Sequence, residues 1–240
     1  MNKKFQLKEY WDDIDLRLEK LLYEGEAKLP SLKQFNLDLI AEDIFSDMGL
    51  KTFMELPSNH KKFLEKLEID TYLAPRLYKL AKKFFNYKGE ISNQYHIARK
   101  VEPGNSKEMF RAHFDSHIFT VVFPIKIPTS SKKKDSCGEL IYFPKLRNNP
   151  KNEIKNFAEK LYFKRYASNK GIENLSKNNK KKVEGFNEYE PLIFFGKTTL
   201  HTNYPVSESC NHYRLTLLAH YFDDTPKLGI GSFLRFIRKR

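Results

Sequence analysis

Four residues in the second half of the chain have side chains that suit the binding of a metal ion and an acid. They are His113 and Asp115 in RAHFDSHIFT, His201 in TTLHTNYPV and Arg214 in HYRLTLLAHYF. In an extended chain, residues two positions apart project to the same side, so His113 and Asp115 can reach one point in space. With His201 from another strand, they predict the two-imidazole, one-carboxylate arrangement that holds non-haem Fe(II) and leaves coordination positions open.

Arg214 shares one face of its predicted strand with Thr216, two positions further on. A guanidinium next to a hydroxyl forms a clamp suited to a carboxylate. An arginine inside a β-barrel needs an anionic partner, because an unpaired buried charge is very costly. The pattern therefore predicts a bound dicarboxylate in addition to the metal ion.

The elements that must position these residues change type along the chain. Apolar residues recur at helical spacing over residues 5–87, and Pro30 and Pro57 mark breaks between the helices. From about residue 92 the pattern is typical of short strands, which we predict at 93–102, 117–128, 138–144, 191–195, 198–206 and 212–222. Helices followed by many short strands favour an α+β fold whose β half is a sandwich or a barrel.

A segment rich in Lys and Asn interrupts the strands between residues 145 and 190, with one predicted helix at 152–166. It is too long for an ordinary hairpin loop, so we expect a lid or an interface. No linker rich in Pro, Gly or Ser divides the chain, which predicts a single domain over 1–240. Its parts are a helical support (1–90), a β core (91–144 and 186–224), an insert or lid (145–185) and a basic, apolar tail (225–240).

Composition narrows the class of protein. The chain is 40% hydrophobic with 20 Phe and 13 Tyr, enough for a packed core without disulfides. Its two cysteines, Cys137 and Cys210, lack the spacing of a zinc site and are predicted to be packing residues. No apolar signal region and no apolar run of about 18 residues is present, so we expect a cytoplasmic protein.

The formal net charge of +13 leaves several interpretations open. They are solvated lysines, an anionic small substrate or membrane surface, and a nucleic-acid groove. The lysines are spread along the chain rather than gathered in one stripe, which favours the first. The C-terminal segment 228–240 is predicted to dock on the helical layer, with an anionic membrane surface as the alternative.

The stretch from about 95 to 222 resembles the Fe(II)/2-oxoglutarate-dependent oxygenase superfamily. The matching pieces, in chain order, are H-F-D at 113–115, G-E-L at 138–140, P-L-I-F-F-G at 191–196, T-L-H ending at 201, P-V at 205–206 and R-L-T at 214–216. The resemblance implies an α+β fold with a double-stranded β-helix core, of the jelly-roll or cupin-like kind, on an N-terminal helical layer.

The resemblance also implies roles for the residues. His113, Asp115 and His201 would bind Fe(II), and Arg214, assisted by Thr216, would bind the distal carboxylate of 2-oxoglutarate. Dioxygen would be the second co-substrate, and succinate and CO2 would be released. We expect hydroxylation of a small, anionic organic substrate, with desaturation or demethylation as related outcomes.

Departures from the patterns of subfamilies narrow this expectation. Asp115 is retained, whereas related halogenases lack the carboxylate ligand. The run RLTLLAH lacks the Asn and the second Arg of the nucleic-acid demethylase pattern. The remaining alternatives are a non-catalytic metal-binding protein on the same fold, an oxygenase acting on nucleic acid, and one acting on a lipid or envelope precursor at a membrane surface.

Other histidines compete for roles in the site. His117 is the rival of His113, because D-S-H also places two ligands on one face, or it lines the substrate pocket. His212 and His220 are interpreted as strand residues with local hydrogen bonds.

Further polar residues are open as substrate or co-substrate contacts. Tyr95, Arg99 and Tyr142 lie on predicted strands, and a packed aromatic residue is the more common outcome for Tyr142. The insert region contains three basic residues, Arg147, Lys164 and Arg165. We expect them to form a solvated basic face, and the alternative is that they cover the substrate.

Overall fold

The structure, a computed structural model, describes residues 7–55, 58–105, 109–132, 135–150 and 152–224, so the segment 228–240 lies outside the described residues. The helices are α1 (Leu7–Tyr10), α2 (Ile14–Glu24), α3 (Leu37–Met48), α4 (Ser58–Lys66), α5 (Ile69–Tyr72), α6 (Ala74–Phe85), α7 (Glu153–Phe163) and α8 (Asn169–Ser176). The strands are β1 (Glu26–Lys28), β2 (Phe53–Glu55), β3 (Gln94–Val101), β4 (His117–Lys126), β5 (Leu140–Phe143), β6 (Lys182–Glu184), β7 (Leu192–Phe195), β8 (Leu200–Asn203) and β9 (Arg214–Asp223). Within these ranges, none of the helices has the length and apolar character needed to cross a bilayer.

Two antiparallel sheets form the β core. The larger has the strand order β1-β7-β4-β9-β3-β2, and the smaller has the order β6-β5-β8. An isolated bridge between His113 and His201 adds the H-F-D segment beside β8. The crossing of consecutive strands between two sheets is the double-stranded β-helix arrangement, so the predicted fold class is confirmed.

Strand β9 divides the interior, because successive side chains of a strand point to opposite faces. The side chains that pack into the core shared with the helices are Leu215, Leu217, Ala219 and Tyr221. The alternate positions, on the face turned toward the smaller sheet, are Arg214, Thr216, Leu218 and His220. The strand therefore places apolar side chains on the helical side and the polar candidates of the site on the other.

The region predicted to be helical also supplies both edges of the large sheet. Strand β1 pairs with β7, and β2 pairs with β3. Each strand has three residues, too few for an alternating pattern to be recognised in the sequence. The helical layer is thus bound to the sheet by backbone hydrogen bonds as well as by side-chain packing.

Strand β4 departs from simple alternation near its end. The sequence pattern predicted five apolar residues on one face, from Phe119 to Ile127. Four of them face the helices, but Ile127 packs in the cluster between the sheets. A register shift between Pro124 and Lys126 explains the difference, since an irregularity of this kind changes which face the following residues occupy.

The insert contains more regular structure than its sequence predicted. The predicted helix 152–166 is present as α7 and a following 3-10 turn, Lys164–Tyr166. Helix α8 and strand β6 were not predicted. Strand β6 pairs with β5 at the edge of the small sheet, so the end of the insert is part of the barrel.

Cys137 and Cys210 are free thiols whose sulfur atoms lie 3.3 Å apart. They pack in a small cluster with Val101 and Val206. This agrees with the prediction that they are packing residues.

The contact between the large sheet and the helices should dominate the stability of the fold. Phe119 is fully buried, with its ring 5.8 Å from that of Phe85 on α6. We expect Phe119→Ala to lower the free energy of unfolding by about 3–5 kcal/mol, measured by urea denaturation. Phe84→Ala, the matched control at a side chain that is 50% exposed, should change it by less than about 0.5 kcal/mol. Equal losses in the two variants would contradict this account of the core.

Candidate metal and acid site

Backbone hydrogen bonds bring the three predicted metal ligands together. The amide of His113 donates to the carbonyl of His201 at 3.1 Å, and the amide of His201 donates back to His113 at 3.1 Å. The amide of Asp115 donates to the carbonyl of Gly196 at 3.0 Å. The candidate donor atoms of His113, Asp115 and His201 consequently lie within 4.8 Å of one another.

Both imidazoles present the same nitrogen to the carboxylate of Asp115. His113 Nε2 lies 3.5 Å from Asp115 Oδ1, and His201 Nε2 lies 3.7 Å from Asp115 Oδ2. On the other side of each ring, Nδ1 donates to a backbone carbonyl, that of Arg111 at 2.6 Å and that of Thr199 at 3.3 Å. A protonated Nδ1 leaves the Nε2 lone pair of a neutral imidazole free for a metal ion.

Burial and mutual attraction set the protonation states of His201 and Asp115. Desolvation lowers the pKa of His201 to about 4, against the attraction of Asp115. Burial alone would raise the pKa of Asp115, but the imidazoles of His201 and His113 outweigh it and hold that pKa well below its usual range. A neutral imidazole and an ionised carboxylate are the forms that bind metal ions.

Two further residues hold the carboxylate in place, and neither was singled out from the sequence as a site residue. The hydroxyl of Thr120, on β4, donates to Asp115 Oδ2 at 2.5 Å. A Cβ atom on Gly196 would lie 2.7 Å from Thr120 Oγ1 and 3.0 Å from Asp115 Cβ, so a side chain there would displace the carboxylate or its donor. The sequence signals were the place of Gly196 at the end of the P-L-I-F-F-G motif and of Thr120 on the strand that follows H-F-D.

The other histidines occupy separate positions. His117 is outside the cluster of three; its ring stacks on Tyr95 at 5.9 Å and lies 5.0 Å from the ring of His220. His220 Nδ1 donates to the carbonyl of Tyr95, its neighbour on β3, at 3.1 Å, which agrees with the expectation of a hydrogen-bonded strand residue. Its Nε2 also lies 3.8 Å from Asp115 Oδ2. His212 makes a local contact, with Nδ1 2.9 Å from the carbonyl of Tyr213.

The guanidinium of Arg214 is buried, and no acidic residue in the described part of the chain pairs with it. The residue is 4% exposed, and the ring of Phe186 lies 5.9 Å from the guanidinium carbon. Among the residues that the structure describes, none makes a hydrogen bond or an ion pair with this group. Burial, followed by repulsion from Arg99, lowers the pKa of Arg214 to about 9, against the attraction of Glu139.

Gly138 gives the Arg214 side chain its space. The residue has a φ of +80°, and a Cβ atom there would lie 2.8 Å from Arg214 Cδ and 2.8 Å from Val206 Cγ2. Both the backbone conformation and the close approach therefore require glycine. The G-E-L motif of the sequence marks this position.

The remaining polar candidates on the strands differ in their surroundings. Thr216 is buried on β9 directly opposite Arg99 of β3, so the hydroxyl and a second guanidinium lie beside Arg214. Tyr142 is buried in the cluster between the sheets, and burial, followed by a hydrogen bond to Glu26, raises the pKa of its hydroxyl. Tyr142 is thus a packed aromatic residue whose polar tip has a partner within the protein.

The basic residues of the insert region do not share one solvated face. Lys164 and Arg165 are exposed, but Arg147 is buried, which corrects the expectation for that residue. The Arg147 guanidinium lies 3.9 Å from the centre of the Phe114 ring and donates to the carbonyl of Lys197 at 2.7 Å. A buried arginine on an aromatic face is a packing element rather than a solvated charge.

Arg147 also fixes helix α7 beside the metal cluster. It donates to Glu159 Oε2 at 3.0 Å and to Asn156 Oδ1 at 2.8 Å, and both residues lie on α7. The next residue of the helix, Lys160, donates to Ser116 Oγ at 3.4 Å. Burial lowers the pKa of Lys160 to about 8, and the strongest opposing influence is the attraction of Asp115. Sequence reasoning missed Lys160, because helical spacing alone does not show which face of an insert docks.

Comparison with known proteins identifies the fold. No family model matches the chain, and no curated protein matches it. The non-haem α-ketoglutarate-dependent carbocyclase SnoK from nogalamycin biosynthesis is similar in structure, with a TM-score of 0.55 at 12% identity over 92% of this chain and 89% of that chain. A prolyl 4-hydroxylase from Phytophthora capsici has a TM-score of 0.54 at 11% identity over 99% of this chain and 75% of that chain. The chain therefore has the fold of 2-oxoglutarate-dependent oxygenases, as its sequence motifs predicted.

The hydrogen bond from Thr120 to Asp115 should support metal binding. We expect Thr120→Val to weaken Fe(II) affinity by roughly 10- to 100-fold, because an unsupported carboxylate is less well oriented. Anaerobic calorimetry would measure the Fe(II) affinity of each variant. Thr202→Val is the matched control: Thr202 adjoins His201, and its buried hydroxyl has no hydrogen-bond partner among the described residues. Unchanged affinity in Thr120→Val would contradict the supporting role.

Proposed function

We propose that the protein is an Fe(II)- and 2-oxoglutarate-dependent dioxygenase that hydroxylates a small, anionic organic substrate and releases succinate and CO2. The observation that carries the proposal is the combination of a His–Asp–His cluster with a buried guanidinium that has no acidic partner among the described residues. A cluster of this kind alone would suit any divalent metal ion, and a buried arginine alone would suit any anion. Together, on this fold, they match a metal ion and a dicarboxylate bound side by side.

The donor set fits Fe(II). His113, Asp115 and His201 would supply two nitrogen ligands and one oxygen ligand, which leaves coordination positions for other molecules. The cluster is open on one side only: the His113 side chain is 48% exposed, whereas those of Asp115 and His201 are 9% and 11% exposed. Access from solvent is therefore expected past His113.

The surroundings of Arg214 fit a carboxylate of 2-oxoglutarate. Arg214 would pair with the distal carboxylate, Thr216 would add a hydroxyl donor, and Gly138 leaves the required space. An acid bound here would supply the missing partner of a cation that burial otherwise destabilises.

The protein's own residues would bind, orient and shield the reactants. When bound, Fe(II), 2-oxoglutarate and dioxygen supply the oxidising chemistry, which protein side chains lack. Leu218 and Val122 face each other across β9 and β4 and form an apolar wall beside the space between Arg214 and the metal cluster. Exclusion of water by this wall would strengthen the attraction between Arg214 and a carboxylate.

We also infer a cytoplasmic location, because free thiols persist in reducing compartments.

A spectroscopic titration tests the proposal directly. Anaerobic addition of Fe(II) and 2-oxoglutarate should produce a visible charge-transfer band, and admission of dioxygen should yield succinate. Asp115→Ala should abolish both signals. A protein that binds metal but gives neither the band nor succinate would be a non-catalytic binding protein, and the proposal would be wrong.

The clamp can be tested separately from the metal cluster. We expect Arg214→Met to raise the apparent Kd for 2-oxoglutarate by roughly 100-fold, because it removes the charged hydrogen bonds to the distal carboxylate. Thr216→Val should raise it by roughly 10-fold. Titration of the charge-transfer band measures both values. Arg165→Met, at an exposed arginine of the insert, is the control and should leave the Kd unchanged.

If Arg214→Met binds 2-oxoglutarate as the wild type does, the clamp is elsewhere. Fe(II) affinity should stay within about threefold of the wild type in Arg214→Met, since Arg214 makes no contact with the three ligands. A parallel loss of metal binding would instead indicate general damage to the barrel.

A further inference from the structure

We propose that Lys160, on helix α7 of the insert, forms a second anion site beside the metal cluster and binds an acidic group, a carboxylate or a phosphate, of the primary substrate. The inference rests on the proposed function, because it concerns the molecule that the same site would hydroxylate. It goes beyond that proposal by assigning the recognition of the acid to one side chain.

The contacts of Arg147 determine which face of α7 is turned toward the metal cluster. Asn156, Glu159, Lys160 and Phe163 recur at helical spacing and therefore lie on one face. Asn156 and Glu159 accept hydrogen bonds from Arg147, and the ring of Phe163 meets that of Phe114 at 5.2 Å. Lys160 lies on this docked face and reaches Ser116, the residue after Asp115.

Three apolar side chains lie on the opposite face of α7. Ile154, Phe157 and Leu161 are 70%, 47% and 61% exposed. A helix that docked only to bury apolar surface would turn this stripe inward. Instead, the docked face is mostly polar, and Lys160 is brought into a partly buried position, where an ammonium group is unfavourable unless it pairs with an anion.

Lys160 makes no ion pair with any residue that the structure describes, unlike two neighbouring cations. Arg147 is paired with Glu159 at 3.0 Å, and Lys197 is paired with Asp224 at 2.5 Å. In the part of the chain that the structure describes, no carboxylate lies within 4 Å of Lys160 Nζ, and its one hydrogen bond is the long contact to Ser116. A partly buried ammonium group with one weak neutral partner has the capacity to bind an acid.

The carboxylates that attract Lys160 from a distance do not remove this capacity. Asp115 and Asp223 both favour the charged ammonium group, but neither forms an ion pair with it. In the metal-loaded site, the charge of the cation would offset that of Asp115. The loaded site would then be more attractive to an anion near Lys160 than the metal-free site.

Lys160 and Arg214 are too far apart to serve the same carboxylate. The Cα atoms of Arg214, at the start of β9, and of His220, which faces Asp115, are six residues and roughly 20 Å apart along the strand, at about 3.3 Å per residue. Lys160 lies at the Asp115 end. The two cations therefore define two acid sites, one for the distal carboxylate of 2-oxoglutarate and one for the substrate acid. The long Arg214 side chain and a bound 2-oxoglutarate would together span the distance from the start of β9 to the metal cluster.

Paramagnetic broadening would detect an anion at this position without turnover. The probes are inorganic phosphate and, separately, acetate, added to protein that holds Co(II) and saturating 2-oxoglutarate. Broadening of the 31P signal of phosphate or the 13C signal of acetate reports binding near the metal. Preference for one probe distinguishes a phosphate group from a carboxylate group.

We expect Lys160→Met to weaken the binding of the preferred probe by at least about tenfold and Lys160→Arg to keep it within about threefold, since only the former removes the charge. Lys164→Met, at an exposed lysine just beyond α7, is the matched control and should behave as the wild type. In the Fe(II) form, all three variants should keep the charge-transfer band with 2-oxoglutarate, which also shows that they are folded.

The outcomes separate this inference from the proposed function. Absence of the band in the wild type would overturn the proposed function. A normal band together with equal probe binding in Lys160→Met and the wild type would overturn the Lys160 site alone.

Pairs of small carboxylic acids and their methyl esters, and of phosphate monoesters and their parent alcohols, extend the test to substrates. With the wild type, the acids should stimulate succinate formation at least about tenfold more than their neutral partners. Lys160→Glu should lose this preference. Stimulation by neutral partners that equals or exceeds stimulation by acids in the wild type would also overturn the inference.

Discussion

The reciprocal hydrogen bonds between the backbones of His113 and His201 are the constraint on which the candidate site depends. They join the H-F-D segment to β8, so that ligands almost ninety residues apart in the chain face each other. Because the bonds belong to the backbone, they fix the Cα positions whatever the side chains do. The side chains then need few further contacts: a carbonyl for each Nδ1, and Thr120 for the carboxylate of Asp115. A site built in this way is organised before any metal arrives.

Strand β9 extends this order to the acid clamp. Its apolar face packs in the helical core, where Leu215 and Tyr221 are fully buried, and that packing holds the polar face in register with β3 and β4. A shift of one residue would turn Arg214 and His220 toward the helices. The packing of the helical layer and the position of the clamp thus both depend on the same strand.

The sequence predicts those features that depend on periodicity and leaves out those that depend on docking. Alternation on β4 and β9 was readable because each strand has ten residues, and the order of His113, Asp115, His201 and Arg214 was readable because side-chain chemistry is restrictive. The edge strands β1 and β2 have three residues each and carry no pattern. The role of Arg147 was predicted wrongly, since its partners lie on α7 and on the loop after β7, and no local signal joins them.

Three of the buried or partly buried cations around the barrel, Arg147, Arg214 and Lys160, are stabilised in different ways. Arg147 has Glu159, an amide, a carbonyl and an aromatic face, so its charge is satisfied within the protein and its effect is structural. Arg214 and Lys160 have no comparable set among the described residues, and each keeps donors without acidic acceptors. Desolvation penalises such groups in the ligand-free protein, and an acid that pairs with them recovers the loss on binding. Arg214 is more deeply buried than Lys160, so its desolvation penalty is larger and salt screens its charge less. The binding of the co-substrate at Arg214 should therefore depend less on ionic strength than the binding of the substrate acid at Lys160.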